Sequence, residues 1–279
     1  MRMIPSVHAS DVTSMHCGGT IERIYEPENS GELQALIKGL DDFHILGGGT
    51  NTLFDDTTIS KPVIRLGQEF NWIVPVPGGI QAGAATPMKR LVSSCTRNCL
   101  MGIEFMAGIP GLLGGALSMN AGTPEMGIMD VVAEIEVVDR MGVHTLKRDE
   151  VSYGYRTGGV PPKTVVTSAR LQLKQSTKGA IRQAIKPYVE KKRKQPKGFS
   201  SGSIFRNLQA MPAGLLIDRA GLKGFRIGGA KVSEVHANFI INDCHATTSD
   251  IKELIAVIKE RVRALFEIEL KEEVRIIGQ

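Results

Sequence analysis

Residues 101–122, MGIEFMAGIPGLLGGALSMNAG, constrain this chain more than any other stretch. Gly108, Gly111, Gly114 and Gly115 strip side chains from a segment otherwise apolar, which lets another backbone or a flat ligand come close and admits left-handed conformations. Pro110 predicts the first residue of a helix, where a missing N–H is no loss. A helix opening there offers free N–H groups and a positive dipole end to an anion. Asn120-Ala121-Gly122 then closes the segment with a polar turn. An isolated GIPG reads as a packed turn in a core. Here an upstream run repeats its chemistry: Leu46-Gly47-Gly48-Gly49-Thr50-Asn51-Thr52 follows the apolar Phe43-His44-Ile45. Three glycines followed by hydroxyl and amide side chains suit a diphosphate, through close backbone approach and then donors. Neither the P-loop pattern nor G-x-G-x-x-G is present, which excludes those two nucleotide-binding modes.

A chain of 279 residues is too long for one small core and suits two or three subdomains. The net charge of +5 permits anionic partners. Its densest basic run, Lys191-Lys192-Arg193-Lys194, lacks interleaved aromatics and reads as a solvated helix end, so no nucleic-acid partner is expected. Cys17, Cys95, Cys99 and Cys244 are scattered. Cys95 and Cys99 fall on one helical face, but no metal-ligand spacing surrounds them, and a reduced thiol set without metal is expected. The N-terminal MRMIPSVHASDV has no apolar signal-type core and no run reaches membrane-spanning length, so a soluble cytoplasmic protein without a membrane partner is the expectation.

In chain order, residues 13–19 form a turn before a strand at Thr20 to Tyr25, with His16 read as structural rather than as a covalent attachment point. Leu33, Leu36, Ile37 and Leu40 recur at helical spacing, and Pro62 to Leu66 is a further strand. A small α/β unit therefore ends near Gly67. Strands at Trp72 to Val76 and Ile80 to Ala84 open the next unit. Thr86-Pro87 reads as N-cap and first-turn proline of a helix burying Leu91, Val92, Cys95 and Cys99. Strands follow around Val131 to Val138, Val143 to Leu146 and Val165 to Leu173. Between the last two lies the polar, aromatic turn Tyr153 to Thr157, where packing requires no arginine. Ser176 to Lys194 is a basic helix interrupted by Pro187, and residues 194–198 form the best linker. Beyond it come Gly202-Ser203 on a turn into Ile204-Phe205, a helix around Ala213 to Ala220, a strand from Asn238 to Ile241, and an amphipathic helix capped by Thr247 and Asp250. Ile251, Leu254, Ile255, Ile258, Val262, Leu265 and Phe266 share one side of that helix.

Taken together these motifs resemble a known family, the UDP-N-acetylenolpyruvoylglucosamine reductases, flavoenzymes of bacterial cell-wall precursor synthesis. The resemblance covers nearly the whole chain. Its carriers are Leu46 to Asn51, Gly102-Ile103-Glu104-Phe105, Ala107 to Gly111, Gly114-Gly115-Ala116, Met119 to Gly122, Tyr155-Arg156, Gln195-Pro196, Gly202 to Phe205 with Asn207, Ser233-Glu234, His236 to Phe239, and Glu273 to Gly278. It implies an α+β architecture: a two-subdomain FAD-binding fold of the vanillyl-alcohol-oxidase type, residues 1–67 and 68–178, plus a smaller α+β substrate domain, residues 179–279, whose last strand has scope to return to the flavin site. It implies non-covalent FAD against Gly47, Gly48, Gly49, Thr50, Asn51, Gly108, Ile109, Pro110, Gly111, Gly114, Gly115, Asn120, Ala121 and Gly122. NADPH is the implied co-substrate, and Tyr155, Asn207, His236 and Asn238 are the implied contacts to the UDP-sugar. The chain departs from the family at Val12, Gly158 and Leu208, where asparagine, serine and proline are usual. The short segment between Arg156 and Val165 places it with the shorter class that lacks an extra substrate flap.

Reduction of an enolpyruvyl double bond needs a hydride source, a group to hold charge at the carboxylate and an acid for the neighbouring carbon. No side chain donates hydride, so the first must be a cofactor. The resemblance gives Arg156 and Glu273 to the carboxylate and Ser203 to proton donation. Residue types agree: Arg156 offers a bidentate charge, and a serine on a turn exposes its hydroxyl. No G-x-S-x-G elbow surrounds Ser203, which argues against hydrolase chemistry. A flavin-binding electron-transfer subunit of a molybdenum hydroxylase is the nearest alternative, and a non-enzymatic nucleotide-sugar-binding protein a more distant one. With no residue set for covalent attachment, acid precipitation should release the flavin into the supernatant; a yellow pellet under a colourless supernatant would refute non-covalent binding.

Overall fold

The computed structural model describes residues 1–209 and 211–278. Its contacts divide the chain into two compact units interleaved in sequence. One comprises residues 1–4, 24–48 and 62–193, the other 5–23, 49–61 and 194–279.

In the first unit, short parallel pairings join Ile24 and Tyr25 to Val63 and Ile64, and His44 and Ile45 to the same two residues. The helix Ser30–Gly39, capped by the Asn29 side chain, buries Leu33, Leu36 and Ile37. These pack with Phe43, Ile64, Val138 and Val165 in a small core. A five-stranded antiparallel sheet follows, in the order Val143–Lys147, Val132–Val138, Val165–Gln172, Gly79–Gly83, Ile73–Val76. Ile80, Ala82, Ile135, Val137 and Leu171 from its strands join Leu91, Val92 and Cys95 and the helical residues Leu113 and Leu117 in the main core.

Three helical expectations are corrected here. The helix at Met88–Arg97 has Pro87, not Thr86, at its N-cap, and the Thr86 hydroxyl instead donates to the Trp72 carbonyl. Cys99 falls beyond that helix in a left-handed conformation, φ 58°, leaving Cys95 as the cysteine of the buried face. Pro187 does not interrupt the basic helix, which runs continuously from Lys178 to Arg193. Pro187 and Gln183 are both exposed, so the carbonyl deprived of its helical donor is left facing solvent instead of core.

The second unit has an antiparallel sheet of Arg226–Ile227, Ala230–Val232 and Ile240–Asn242, and a parallel pair in which Arg275–Ile277 lies beside Thr52–Phe54. The helices Ala213–Arg219 and Thr248–Phe266 cover a core that includes Leu216, Ile217, Ile251, Leu254, Ile258 and Val262. The expected capping box is present: the Thr247 side chain accepts from the Asp250 N–H, and the Asp250 carboxylate accepts from the Thr247 N–H. Leu265 departs from expectation at 53% exposed, while Phe266 packs against the core. The helix ends one residue later with Glu267 left-handed, so its final turn presents Phe266 alone.

The backbone N–H groups of Thr247 and Gly229 hold the Asp250 carboxyl below its ordinary value. A lowered folded value means that stability is present above the unfolded carboxylate value and is lost as pH falls through the folded one. Thr247→Ala should therefore cost about 1 kcal/mol in a urea titration at neutral pH. The stability gap between the parent and Asp250→Asn should narrow as the medium is acidified; a gap constant with pH would show that the box is not electrostatically coupled.

Candidate active site

The two glycine-rich runs meet within the first unit, backbone against backbone. A Cβ on Gly48 would stand 3.0 Å from the Gly111 Cα, and one on Gly47 would stand 3.6 Å from the Gly115 Cα. A Cβ on Gly114 would touch the Ala84 Cβ at 3.0 Å, whereas one on Gly115 would meet nothing within 4 Å. Gly115 thus offers an open, side-chain-free surface. In the second unit Gly49, φ 63°, turns so tightly that a Cβ would lie 2.0 Å from the Val12 carbonyl oxygen. Val12 meets this turn through its main chain, so an asparagine is not required there for the turn to form. Among the described residues no backbone carbonyl accepts from the N–H groups of Gly47 to Asn51. A run of such donors in a glycine turn forms an anion-binding nest.

The helix expected to open at Pro110 starts instead at Leu113 and has six residues. Gly111 is left-handed at φ 105° and Leu112 is extended, so helical backbone cannot begin earlier. Its first donors are also engaged: Leu113 N–H bonds the Thr86 carbonyl and Gly114 N–H the Ala84 carbonyl. That helix start is therefore not the source of free N–H groups that the sequence pattern predicts. Ile109 is half-buried against the main core, and Pro110 and Gly108 are exposed. The Lys192 stem lies over Gly108, within 2.9 Å of where a Cβ would be, and burial lowers its ammonium pKa.

Tyr155 and Arg156 sit in a tight turn closed by reciprocal hydrogen bonds between Gly154 and Thr157. Arg156 is left-handed, φ 58°, and its guanidinium lies 5.1 Å from the Tyr155 ring centroid and contacts the Gly122 carbonyl at 3.5 Å. Gly158 donates to the Ser118 carbonyl, and a Cβ there would fall 1.7 Å from the Leu117 oxygen. The glycine is a steric necessity of how this turn packs on the helix Leu113–Ser118.

In the second unit Ser203 follows Gly202, φ 78°, and forms a bridge with Phe239. On the other side of the same segment Phe205 bridges Glu272, and Glu273 N–H donates to the Ile204 carbonyl at 2.7 Å. Ser203 and Glu273 are thus carried on neighbouring irregular segments that meet at Ile204. Asn207 accepts from Ala213 N–H, and His236 Nδ1 accepts from Asn238 N–H and packs edge-on to Phe239. The departing Leu208 is 36% exposed beside Asn207. Ser201, two residues before Ser203, went unnoticed in the sequence. It is 4% exposed, and its hydroxyl has no hydrogen-bond partner among the described residues. A buried serine carries no pattern by which it could have been singled out.

Cys17 and Cys95 are buried. Burial pushes the Cys95 thiol up to about 12 and raises that of Cys17. Among the described residues no cluster of His, Cys, Asp or Glu could hold a metal, and no helix is long and apolar enough to cross a membrane.

Comparison with known proteins bears on this arrangement. Residues 21–147 match the model of an FAD-binding domain, and residues 194–277 match that of the UDP-N-acetylenolpyruvoylglucosamine reductase C-terminal domain. A reductase of that name from Trichlorobacter lovleyi is 38% identical over 95% of this chain and 89% of its own length. The chain belongs to the UDP-N-acetylenolpyruvoylglucosamine reductase family. A more distant reductase of the family, from Anaplasma marginale, is 32% identical over 98% of the chain and 92% of its own. The crystal structure of the Thermus caldophilus reductase superposes with a TM-score of 0.89 at 34% identity, covering 99% of both chains. The α+β class with an FAD-binding fold stands accordingly.

The residues present fit the FAD that this family's domain binds. In the first unit the bare Gly115 suits a flat ring, and in the second the Gly49-Thr50-Asn51 turn suits a phosphate. Gly115→Ala supplies a test, because alanine favours a helix over glycine by about 1 kcal/mol. The flavin-free variant should be at least as heat-stable as the flavin-free parent while binding FAD more weakly in a fluorescence titration. Unchanged FAD affinity would mean that the open face at Gly115 is not occupied by the flavin.

Proposed function

We propose that this chain reduces the enolpyruvyl group of UDP-N-acetylglucosamine enolpyruvate to give UDP-N-acetylmuramate in peptidoglycan precursor synthesis, with FAD as cofactor and NADPH as reductant. Membership of the reductase family supports the reaction. The observation that supports the residue roles is that Ser203 and Glu273 lie on two irregular segments joined at Ile204, whose N–H donates to the Asn238 carbonyl and whose carbonyl accepts from Glu273 N–H. Residues 1–67 and 68–178 are the proposed cofactor-binding part and 179–279 the substrate part; the family models at 21–147 and 194–277 support that order, while contacts group 179–193 with the first unit and 5–23 and 49–61 with the second.

FAD, when bound, supplies hydride to the double bond and is restored by NADPH. Everything else falls to side chains. Hydride addition to one carbon leaves negative charge on its neighbour, delocalised into the carboxylate. Arg156 holds that carboxylate with a planar, permanently charged fork, and Glu273, in its protonated form, donates a hydrogen bond to the same group. Ser203 delivers a proton to the carbanionic carbon, and its own proton is replaced from solvent. Serine is a weak acid, so it works only against a strong base at hydrogen-bond range, which is why a fixed backbone matters here. Tyr155, Asn207 and His236 complete the contacts to the sugar nucleotide, with Tyr155 43% exposed and stacked on Arg156.

The two halves of the reaction separate these roles. Ser203→Ala should leave flavin content and flavin reduction by NADPH near parent values, while reoxidation by the enolpyruvyl substrate slows by about 10²-fold or more. Arg156→Lys should weaken the second half alone, since a point charge replaces a fork. An electron-transfer subunit would show neither effect. Parent-like reoxidation of Ser203→Ala would remove Ser203 as the acid.

A further inference from the structure

Each chemistry-bearing residue lies on irregular backbone, and each such segment is gripped by an asparagine side chain. Asn120 is 8% exposed. Its Nδ2 donates to the Gly154 carbonyl at 2.9 Å and its Oδ1 accepts from Met129 N–H at 3.0 Å. Gly127 leaves room for this carboxamide, since a Cβ there would lie 2.1 Å from Oδ1. Gly154 begins the turn that holds Arg156 left-handed, a conformation costing an L-residue roughly 1 kcal/mol or more and persisting only where the surroundings fix it. Asn51 Nδ2 donates to the Glu273 carbonyl at 3.0 Å, and its own carbonyl accepts from Arg275 N–H at 3.0 Å. Asn238 is 2% exposed; its Oδ1 accepts from Phe205 N–H at 2.9 Å and its Nδ2 donates to the Phe205 carbonyl at 2.8 Å.

From this geometry we infer that Asn51, Asn120 and Asn238 are positioning residues, clamping the backbone that carries Glu273, Arg156 and Ser203 respectively. The resemblance gives Asn51 and Asn120 to the cofactor and Asn238 to the substrate; each of the three carboxamides also donates one N–H to a main-chain carbonyl. A carboxamide donates and accepts from one planar group at any pH, as Asn120 and Asn238 both do, whereas a carboxyl does so only while protonated, so the Asp variants are compared at a pH where the carboxyl is ionised. A carboxylate of the same shape keeps the acceptor and loses the donor.

Asn120→Asp isolates the clamp, because Oδ1 still accepts from Met129 while a carboxylate oxygen now faces the Gly154 carbonyl. This inference rests on the functional reading for its kinetic arm only. Hydrogen exchange on flavin-free protein should show faster exchange across residues 152–159 than in the parent. Flavin affinity is measured alongside, because the resemblance also gives Asn120 to the cofactor, and the clamp requires it to fall by less than the apparent affinity for the enolpyruvyl substrate. The substrate concentration giving half-maximal reoxidation should rise about tenfold or more, with a smaller change in the limiting rate. Unchanged exchange together with unchanged reoxidation overturns the inference. Loss of flavin affinity with unchanged exchange overturns it too, and returns Asn120 to the cofactor. Arg156→Lys run in parallel distinguishes the two readings: if that variant is silent, the role of Arg156 fails, while the exchange result still decides the clamp. Should Asn120→Asp not fold, Asn51→Asp in the second unit poses the same question, with faster exchange expected across residues 272–276.

Discussion

Close approach of main chain to main chain, possible only where side chains are missing, is the constraint on which this structure depends. Gly48 lies against Gly111 and Gly47 against Gly115, and a methyl group at the first of these contacts would already force the chains apart. The apolar core beneath, from Leu113 and Leu117 to the strand residues Ile80 and Ile135, holds those glycines in register. Core packing and the bare surface above it are therefore one design: the first supplies rigidity that glycine cannot supply for itself.

Polar satisfaction does comparable work away from the glycines. Asn120, at φ 43°, and Arg156, at φ 58°, both occupy a region that L-residues avoid. Both conformations are fixed by hydrogen bonds that begin or end on the helix Leu113–Ser118, on the turn after it, or at Gly154. Strain of this kind gathers where a side chain must be aimed, and a short polar residue in a dry setting aims a segment more firmly than apolar packing, because its bonds have direction.

Much of this was legible in the sequence. Elements whose signal is periodic, such as Thr248–Phe266 with its Thr247 and Asp250 box or the strand Val165–Gln172, follow from local pattern. That the two glycine runs share a chemistry was legible, whereas their direct backbone contact was not. What local pattern missed depends on distant partners. The helix start moves from Pro110 to Leu113 because the acceptors for its first donors are Thr86 and Ala84. The destinations of the asparagine amides depend on which backbone lies opposite, and Gly158 looks like a departure until the Leu117 oxygen is seen against it. The interleaving of the two units is invisible to any window of sequence.

That interleaving has a consequence for how the protein comes to exist. The strand Thr52–Phe54 takes its sheet partner from Arg275–Ile277, near the far end of the sequence, and the Asn51 amide finds its acceptor there as well. On a ribosome the early strand emerges long before that partner is made, and closing so long a loop is slow. Until then its ladder donors and acceptors have no native strand to pair with, and Leu53 and Phe54, both fully buried in the finished protein, lack their final cover. The nascent chain must protect this segment until the strand Arg275–Ile277 has been made, so its exposure to chaperones and proteases depends on the time taken to translate the intervening residues as well as on stability.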